Sequence, residues 1–433
     1  MDVLAFAVPA AIGVVVAIGA IRPLGHLVTG PGWAVPGAPG RLFTAAAVLL
    51  LLGSMARVLR SAGPVTASSA FWFWLLSAPV RRRDLLRRRY FALVTVVGAA
   101  ACVAASLVAH AGSVPVLPAA AAAALSAIAL TGGAVCGQAW DSADRVMHVT
   151  GQALRAAGVL AFGSLATGAG RVDLNSILRA PPDVTLILLT GLVVAVVFCC
   201  ILGYRGLDRI DVSVMRRGQG LWTSGHLAAV SMDVFTLTDF LAGQRARQTG
   251  RIRPVRIGTG FIRSLARSEW ARLRRRPHLA VQAFAAGIVW WGCRPVLASP
   301  FLASVAVVVG YCLVLPVAGT LRQLTANPAL RTQFAPRDRL LTVASLTTCL
   351  LASAGWAAIV VPGLHGAVAL TLLLAFGLTA AVYRTATRPP LDYTWPLVPT
   401  PAGDFPLDLW RQMFRGILLL TAVIAATVAL SAH

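Results

Sequence analysis

Two carboxylate pairs and two arginine clusters are the side chains whose type and spacing could do chemistry. Asp141 and Asp144 form one Asp-x-x-Asp pair, and Asp208 and Asp211 form another. Paired carboxylates at one membrane face can hold magnesium and, through it, a diphosphate. Neither pair carries the flanking Asn or Gly residues of diphosphate sites, and Arg145 and Arg209 stand beside them as ready ion-pair partners. The first arginine cluster is Pro79-Val80-Arg81-Arg82-Arg83-Asp84-Leu85-Leu86-Arg87-Arg88-Arg89-Tyr90; a shorter echo, Pro336-Arg337-Asp338-Arg339-Leu340-Leu341, follows later. Rows of guanidiniums bind anionic headgroups or an acidic partner surface. Pro79, Arg81, Arg82, Arg83, Asp84, Pro336, Arg337, Asp338 and Arg339 are therefore the candidate partner-docking residues.

Composition narrows the chemistry. The 38 basic residues are all arginine, set against fourteen aspartates and the single glutamate Glu269. Without lysine there is no Walker A phosphate loop and no Schiff-base nucleophile, so any ATP and magnesium are expected in a partner subunit and no cofactor in this chain. The seven cysteines lie in or at the ends of apolar stretches without C-x-x-C spacing, as small core or lipid-facing residues do. His110 and His365 fall near the outer ends of spans and read as interfacial residues. No metal site, catalytic residue or nucleic-acid partner is expected.

The elements that position these residues are membrane spans. With 58% hydrophobic and 12% charged residues, the chain is far from the soluble norm of about a quarter charged. At about 20 apolar residues per crossing, about eleven spans are expected (ten to twelve), making an all-α polytopic bundle. They cover residues 3–21, 42–59, 90–110, 116–137, 152–168, 184–203, 279–293, 299–320, 340–361, 367–383 and 416–431. The first reads as a retained anchor, since no basic region precedes it. None of the spans holds an aspartate or glutamate, which leaves little for ion coupling. Arg57 and Arg155 are placed at inner span ends, where long side chains snorkel.

An amino terminus in the cytoplasm leaves only Arg22, Arg41, Arg171, Arg179 and Arg294 outside and the other 33 arginines inside, as the positive-inside rule requires. Residues 1–203 then form a first membrane half of six spans, 204–278 a cytoplasmic linker, and 279–433 a second half of about five. The two halves share the order of spans and basic corners, which suggests duplication. Within the linker, Ile262, Leu265, Ala266, Trp270 and Leu273 fall at helical spacing opposite Arg263, Arg267 and Arg274, predicting an interfacial elbow helix stopped by Pro277. Phe71-Trp72-Phe73-Trp74 suits the headgroup layer. The proline-dense stretch from Arg388 to Pro406 predicts a stiff, extended connection, followed by a short interfacial helix over 407–414. Gly133 and Gly137 permit a close helix approach.

Two spans followed by a Pro-Val-Arg-Arg-Arg-Asp-Leu-Leu corner and four more spans resemble the membrane subunits of the ABC-2-type exporter superfamily. A Pro-Val-Ser-Arg-x-x-Leu-Leu corner is frequent there, and Arg81 stands where serine is common. The likeness covers residues 42–110 best and 300–361 less well. With Thr400-Pro401-Ala402-Gly403, the chain also resembles an actinobacterial group of permease-like proteins. The resemblance implies a permease in the bacterial cytoplasmic membrane that exports its substrate with a separate nucleotide-binding subunit, two copies for the two halves. The rival readings are a non-transporting scaffold of a secretion or envelope-assembly complex, and a diphosphate-using enzyme, whose aspartate pairs loosely resemble those of intramembrane prenyltransferases.

Overall fold

In hydrocarbon every backbone N–H and C=O must be satisfied within its own segment, so long apolar runs fold as helices. The computed structural model describes residues 38–63, 65, 81–112, 114–167, 182–211, 214–215, 219, 223, 261–274, 277–294, 299–327, 329, 332, 338–364, 368–388, 398–400, 403–405 and 416–431. The span expected at 3–21, the aromatic group at 71–74, Pro79, His365, Pro336, Arg337 and the helix expected at 407–414 lie outside them. Seven described segments are long and apolar enough to cross a membrane, and the chain is a multi-pass membrane protein. It divides into two compact units, one within Met1–Thr223 and one within Ser224–Arg294 and Ala298–His433.

The first unit holds α1 (Ala38–Ala62), α2 (Arg82–Ala111), α3 (Val116–Ala139), α4 (Asp141–Ala166) and α5 (Pro182–Gly206). Lipid offers no hydrophobic drive for helix association, so small residues that admit close approach decide which helices meet. Helix α1 lies antiparallel along α4. The pairing runs from Phe43 edge-on to Phe162 (ring centroids 5.8 Å apart), past Gly158 against Ala46 and Leu50, to Gly151 against Ala56. It ends at Arg60 beside Asp144. On the other side of α3, a Cβ at Gly132 would sit 2.6 Å from the Cys199 carbonyl oxygen of α5, and one at Gly203 would sit 3.0 Å from the Gly132 oxygen. Gly133 and Gly137 both lie against α4, at Met147 and Asp144.

The span expected at 152–168 is the apolar end of a longer helix. Only Trp140, in extended conformation, separates α3 from α4, and α4 starts at once with Asp141 and Asp144 in its first turn, where carboxylates suit the helix dipole. Arg155 consequently lies in mid-helix rather than at an end. It is half-buried, its Nε donates to the Gly151 carbonyl at 3.2 Å, and its stem crosses α1 where Gly53 makes room.

The second unit holds α6 (Phe261–Arg274), α7 (Pro277–Cys293), α8 (Ser299–Val314), α9 (Gly319–Ala326), α10 (Asp338–Val360), α11 (Val368–Ala386) and α12 (Ile417–Ser431). Pro316 lacks an N–H, and the chain between α8 and α9 tightens to a 3-10 turn over Leu315–Ala318. Trp356 of α10 donates to the Ala306 carbonyl at 2.8 Å, and Tyr311 of α8 shares a 2.8 Å hydrogen bond with Thr385 of α11. On α6, Arg267 and Arg274 are exposed as the periodicity predicts, but Trp270 is exposed too, at 69%, while Glu269 is buried at 3%. Glu269 pairs with Arg272 at 3.0 Å, and Arg272 donates to the Val317 carbonyl of the 3-10 turn and to Thr320. Glu269 and Arg272 thus tie this helix to the 3-10 turn, and Trp270 stays on the surface of the unit.

Within the proline-dense stretch, residues 398–400 and 403–405 are described. Strand β1 (Val398–Thr400) pairs antiparallel with β2 (Gly403–Phe405), with Thr400 and Gly403, the first and last residues of the Thr-Pro-Ala-Gly motif, opposite each other.

Candidate functional site

The candidate residues of the first unit collect at one end of its bundle. Helix α1 stops there at Gly63, whose φ of 67° is a left-handed closing conformation natural to glycine and whose N–H reaches the Leu59 carbonyl. Val65 then docks on α3: its N–H donates to the Gln138 Oε1 at 3.1 Å, and the Gln138 amide donates back to its carbonyl at 3.4 Å. Helix α2 starts at this level, α3 passes to α4 through Trp140, and α5 runs into a 3-10 turn, Leu207–Arg209.

The arginine cluster divides by function within two helical turns. A helix start leaves its first backbone N–H groups without partners, and the side chain of Arg81 caps none of them. Asp208, in the turn after α5, supplies the cap: its Oδ1 accepts the Arg83 N–H at 2.9 Å, and its other oxygen lies 3.8 Å from the Arg83 Nε. Arg82 reaches the same turn and donates to the Ile210 carbonyl at 2.9 Å. The Arg83 guanidinium stacks 5.4 Å from the Tyr204 ring centre. Beneath them Leu86 and Tyr90 are buried with Val65, Val135, Leu207, Ile210 and Met215, and the Tyr90 hydroxyl donates to the Cys200 carbonyl at 3.1 Å. Leu207, Ile210 and Met215, which follow the expected start of the linker, thus form part of this unit's core. Arg81, Asp84, Arg87 and Arg88 face outward.

The aspartate pairs serve the same joints. Arg145 and Arg209 are not the partners of their neighbouring aspartates. Asp144 is held by Arg60 of α1 in a two-pronged pair, Nε to Oδ1 at 2.7 Å and Nη2 to Oδ2 at 2.8 Å, because the antiparallel α1 and α4 bring those two ends level. The remaining Arg60 nitrogen lies 2.9 Å from the His148 Nδ1; as guanidinium only donates, that ring nitrogen is the acceptor. Arg209 stacks 5.4 Å over the Trp140 ring instead. Asp211 uses its backbone carbonyl to receive the Val214 and Met215 N–H groups. Among the described residues, no three His, Cys, Asp or Glu side chains converge as a metal site would need.

In the echo, α10 begins at Asp338 as α2 begins at Arg82, so in both places the paired leucines fall in the first turns of a membrane-length helix. The first leucine of each pair differs in burial: Leu85 is half-buried, whereas Leu340 is exposed. Asp338 and Arg339 occupy the first two positions of that helix.

The sequence singles out the first cluster and the carboxylate pairs, but Asp208 reads there for magnesium rather than for helix capping. Arg60 and Tyr204, the partners of Asp144 and Arg83, carry no such signal. No curated protein and no solved structure matches the chain. Residues 38–396 match the model of a family of unknown function, DUF6297, and the chain belongs to that family.

Proposed function

We propose that this chain is the membrane subunit of an ATP-driven exporter and that a separate ATPase docks on the arginine-rich end of its first unit. The observation that carries this reading is the construction of the corner. Arg82, Arg83, Leu86 and Tyr90 tie the start of α2 to the turn after α5, and Arg81 and Asp84 are left as outward charges on that braced joint. A docking element that passes on mechanical work must be both exposed and stiff, and a push here moves α2 and α5 together.

Supporting points come from composition. The chain has no lysine for a phosphate loop and no carboxylate within the expected spans to couple an ion gradient. The arginine-rich end faces the cytoplasm of a bacterium in this scheme, following the positive-inside rule. Two related halves in one chain call for two ATPase copies, which bring the ATP and magnesium. Asp144 and Asp208 are committed to Arg60 and Arg83, so the corner rather than the carboxylate pairs is placed at the centre of the function.

Purification of the tagged protein in mild detergent tests the reading. A P-loop ATPase at about two copies per chain supports it. Its consistent absence, with the chain folded, would favour the scaffold role instead.

A further inference from the structure

The outward arginines of α2 are not all alike. Exposed Arg87 and Arg88 lie one turn before exposed Phe91 on α2, whose surface farther along is apolar at Val96, Val103 and Leu107, while α5 carries an outward stripe through Val194, Phe198 and Ile201 that ends in exposed Arg205. The α5 residues follow three- and four-residue steps and occupy one helix face, and on α2 Arg87 and Phe91 share a face four residues apart. These two helices are also the barest of the membrane-length set, with 17% and 22% of their most apolar stretch buried against 33–56% for the others.

The arginine-bearing ends of the two helices lie side by side. Arg83 and Phe91 of α2 both touch Tyr204, at 5.4 Å and 6.0 Å to the ring centre, and Arg87 lies midway between them at four-residue steps. Arg205 follows Tyr204 directly. Arg87, Arg88 and Arg205 are thus exposed at neighbouring ends of the two helices, and among the described residues no ion pair involves them.

We propose that Arg87, Arg88 and Arg205 form a binding site for the phosphate of an anionic glycerophospholipid whose acyl chains lie along α2 and α5. A phosphodiester offers the acceptor oxygens that guanidiniums bind in forked geometry, and the exposed apolar surfaces of α2 and α5 supply the place for the tails. Each arginine near a membrane surface contributes about fivefold to attraction for anionic lipid, so three together give roughly a hundredfold preference over a zwitterionic headgroup.

The test is native mass spectrometry of the full chain titrated with phosphatidylglycerol or phosphatidylcholine of matched chains. The wild type is expected to retain phosphatidylglycerol selectively, the triple variant R87Q/R88Q/R205Q to lose that selectivity, and R145Q, on exposed α4 surface, to keep it. Single variants, each weakened about fivefold, serve if the triple variant does not fold. Equal retention of the two lipids by the wild type would overturn the site, as would unchanged selectivity in the variants. A tightly held second copy of the chain that excludes lipid would do so too. Glycerol phosphate competing as well as the lipid would assign the arginines to a soluble anion and overturn the proposal.

Discussion

Asp208 caps the helix that begins at Arg82, accepting the backbone N–H of Arg83 at 2.9 Å across 125 residues of sequence. The cap joins the arginine corner to the end of α5. An anion at a helix start satisfies an orphan donor and complements the dipole, so one carboxylate sets both the geometry and the charge of the joint.

Replacing that carboxylate should loosen the corner. Asp208→Ala is expected to cost about 1–2 kcal/mol, and Asp208→Asn less, because its side-chain oxygen still caps. Thermal unfolding in detergent reads the stability. Limited trypsin digestion reads the corner itself, with faster cleavage at Arg81 to Arg83 in the alanine variant; equal rates in the two proteins would mean that Asp208 does not hold α2.

The Arg60 and Asp144 pair is two-pronged but partly solvated, with both side chains more than a third exposed. Pairs of that kind are worth at most about 1 kcal/mol. A double-mutant cycle with Arg60→Gln and Asp144→Asn should give a coupling of about 0.5–1 kcal/mol that shrinks with added salt. A coupling near zero would show that the packing of α1 on α4, not the pair, holds those ends.

Glycine positions separate close approach from mere tolerance. A Cβ at Gly132 would meet the Cys199 carbonyl at 2.6 Å, whereas one at Gly191 on α5 meets nothing within 4 Å. Gly132→Ala should cost about 1–3 kcal/mol by forcing α3 from α5, and Gly191→Ala should be neutral or slightly stabilising. Melting temperatures of the two variants check the contrast.

In the second unit, Glu269→Ala leaves Arg272 beside the 3-10 turn without its carboxylate. Because Glu269 is buried, the loss is expected to reach about 3 kcal/mol, well above that of a surface pair. Chemical denaturation or loss of monodisperse protein measures it. A change under about 0.5 kcal/mol would contradict the anchoring role.

Much of the helix layout was legible because composition and span length report it directly: every apolar run that falls in the described residues forms a helix. Other features turned on partners far away in sequence. Arg82 and Arg83 look like Arg81 until Asp208 and Ile210 are placed beside them, and Asp144 looks paired with Arg145 until α1 brings Arg60 level with it. Glu269 and Arg272 look like members of a solvated helix face until the Val317 carbonyl and Thr320 are placed beside Arg272. Asp141 begins α4 only because one residue, Trp140, suffices to turn the chain.

Site-specific photocrosslinking in native membranes tests the docking corner most directly, with a photoreactive residue placed at position 81 or 84 and, for comparison, at 82 or 90. The corner as built predicts that 81 and 84 trap a P-loop ATPase, identified by mass spectrometry, and that the inward positions give only crosslinks within the chain. Adducts to lipid alone at 81 and 84, or an ATPase trapped equally from 82 and 90, would contradict it.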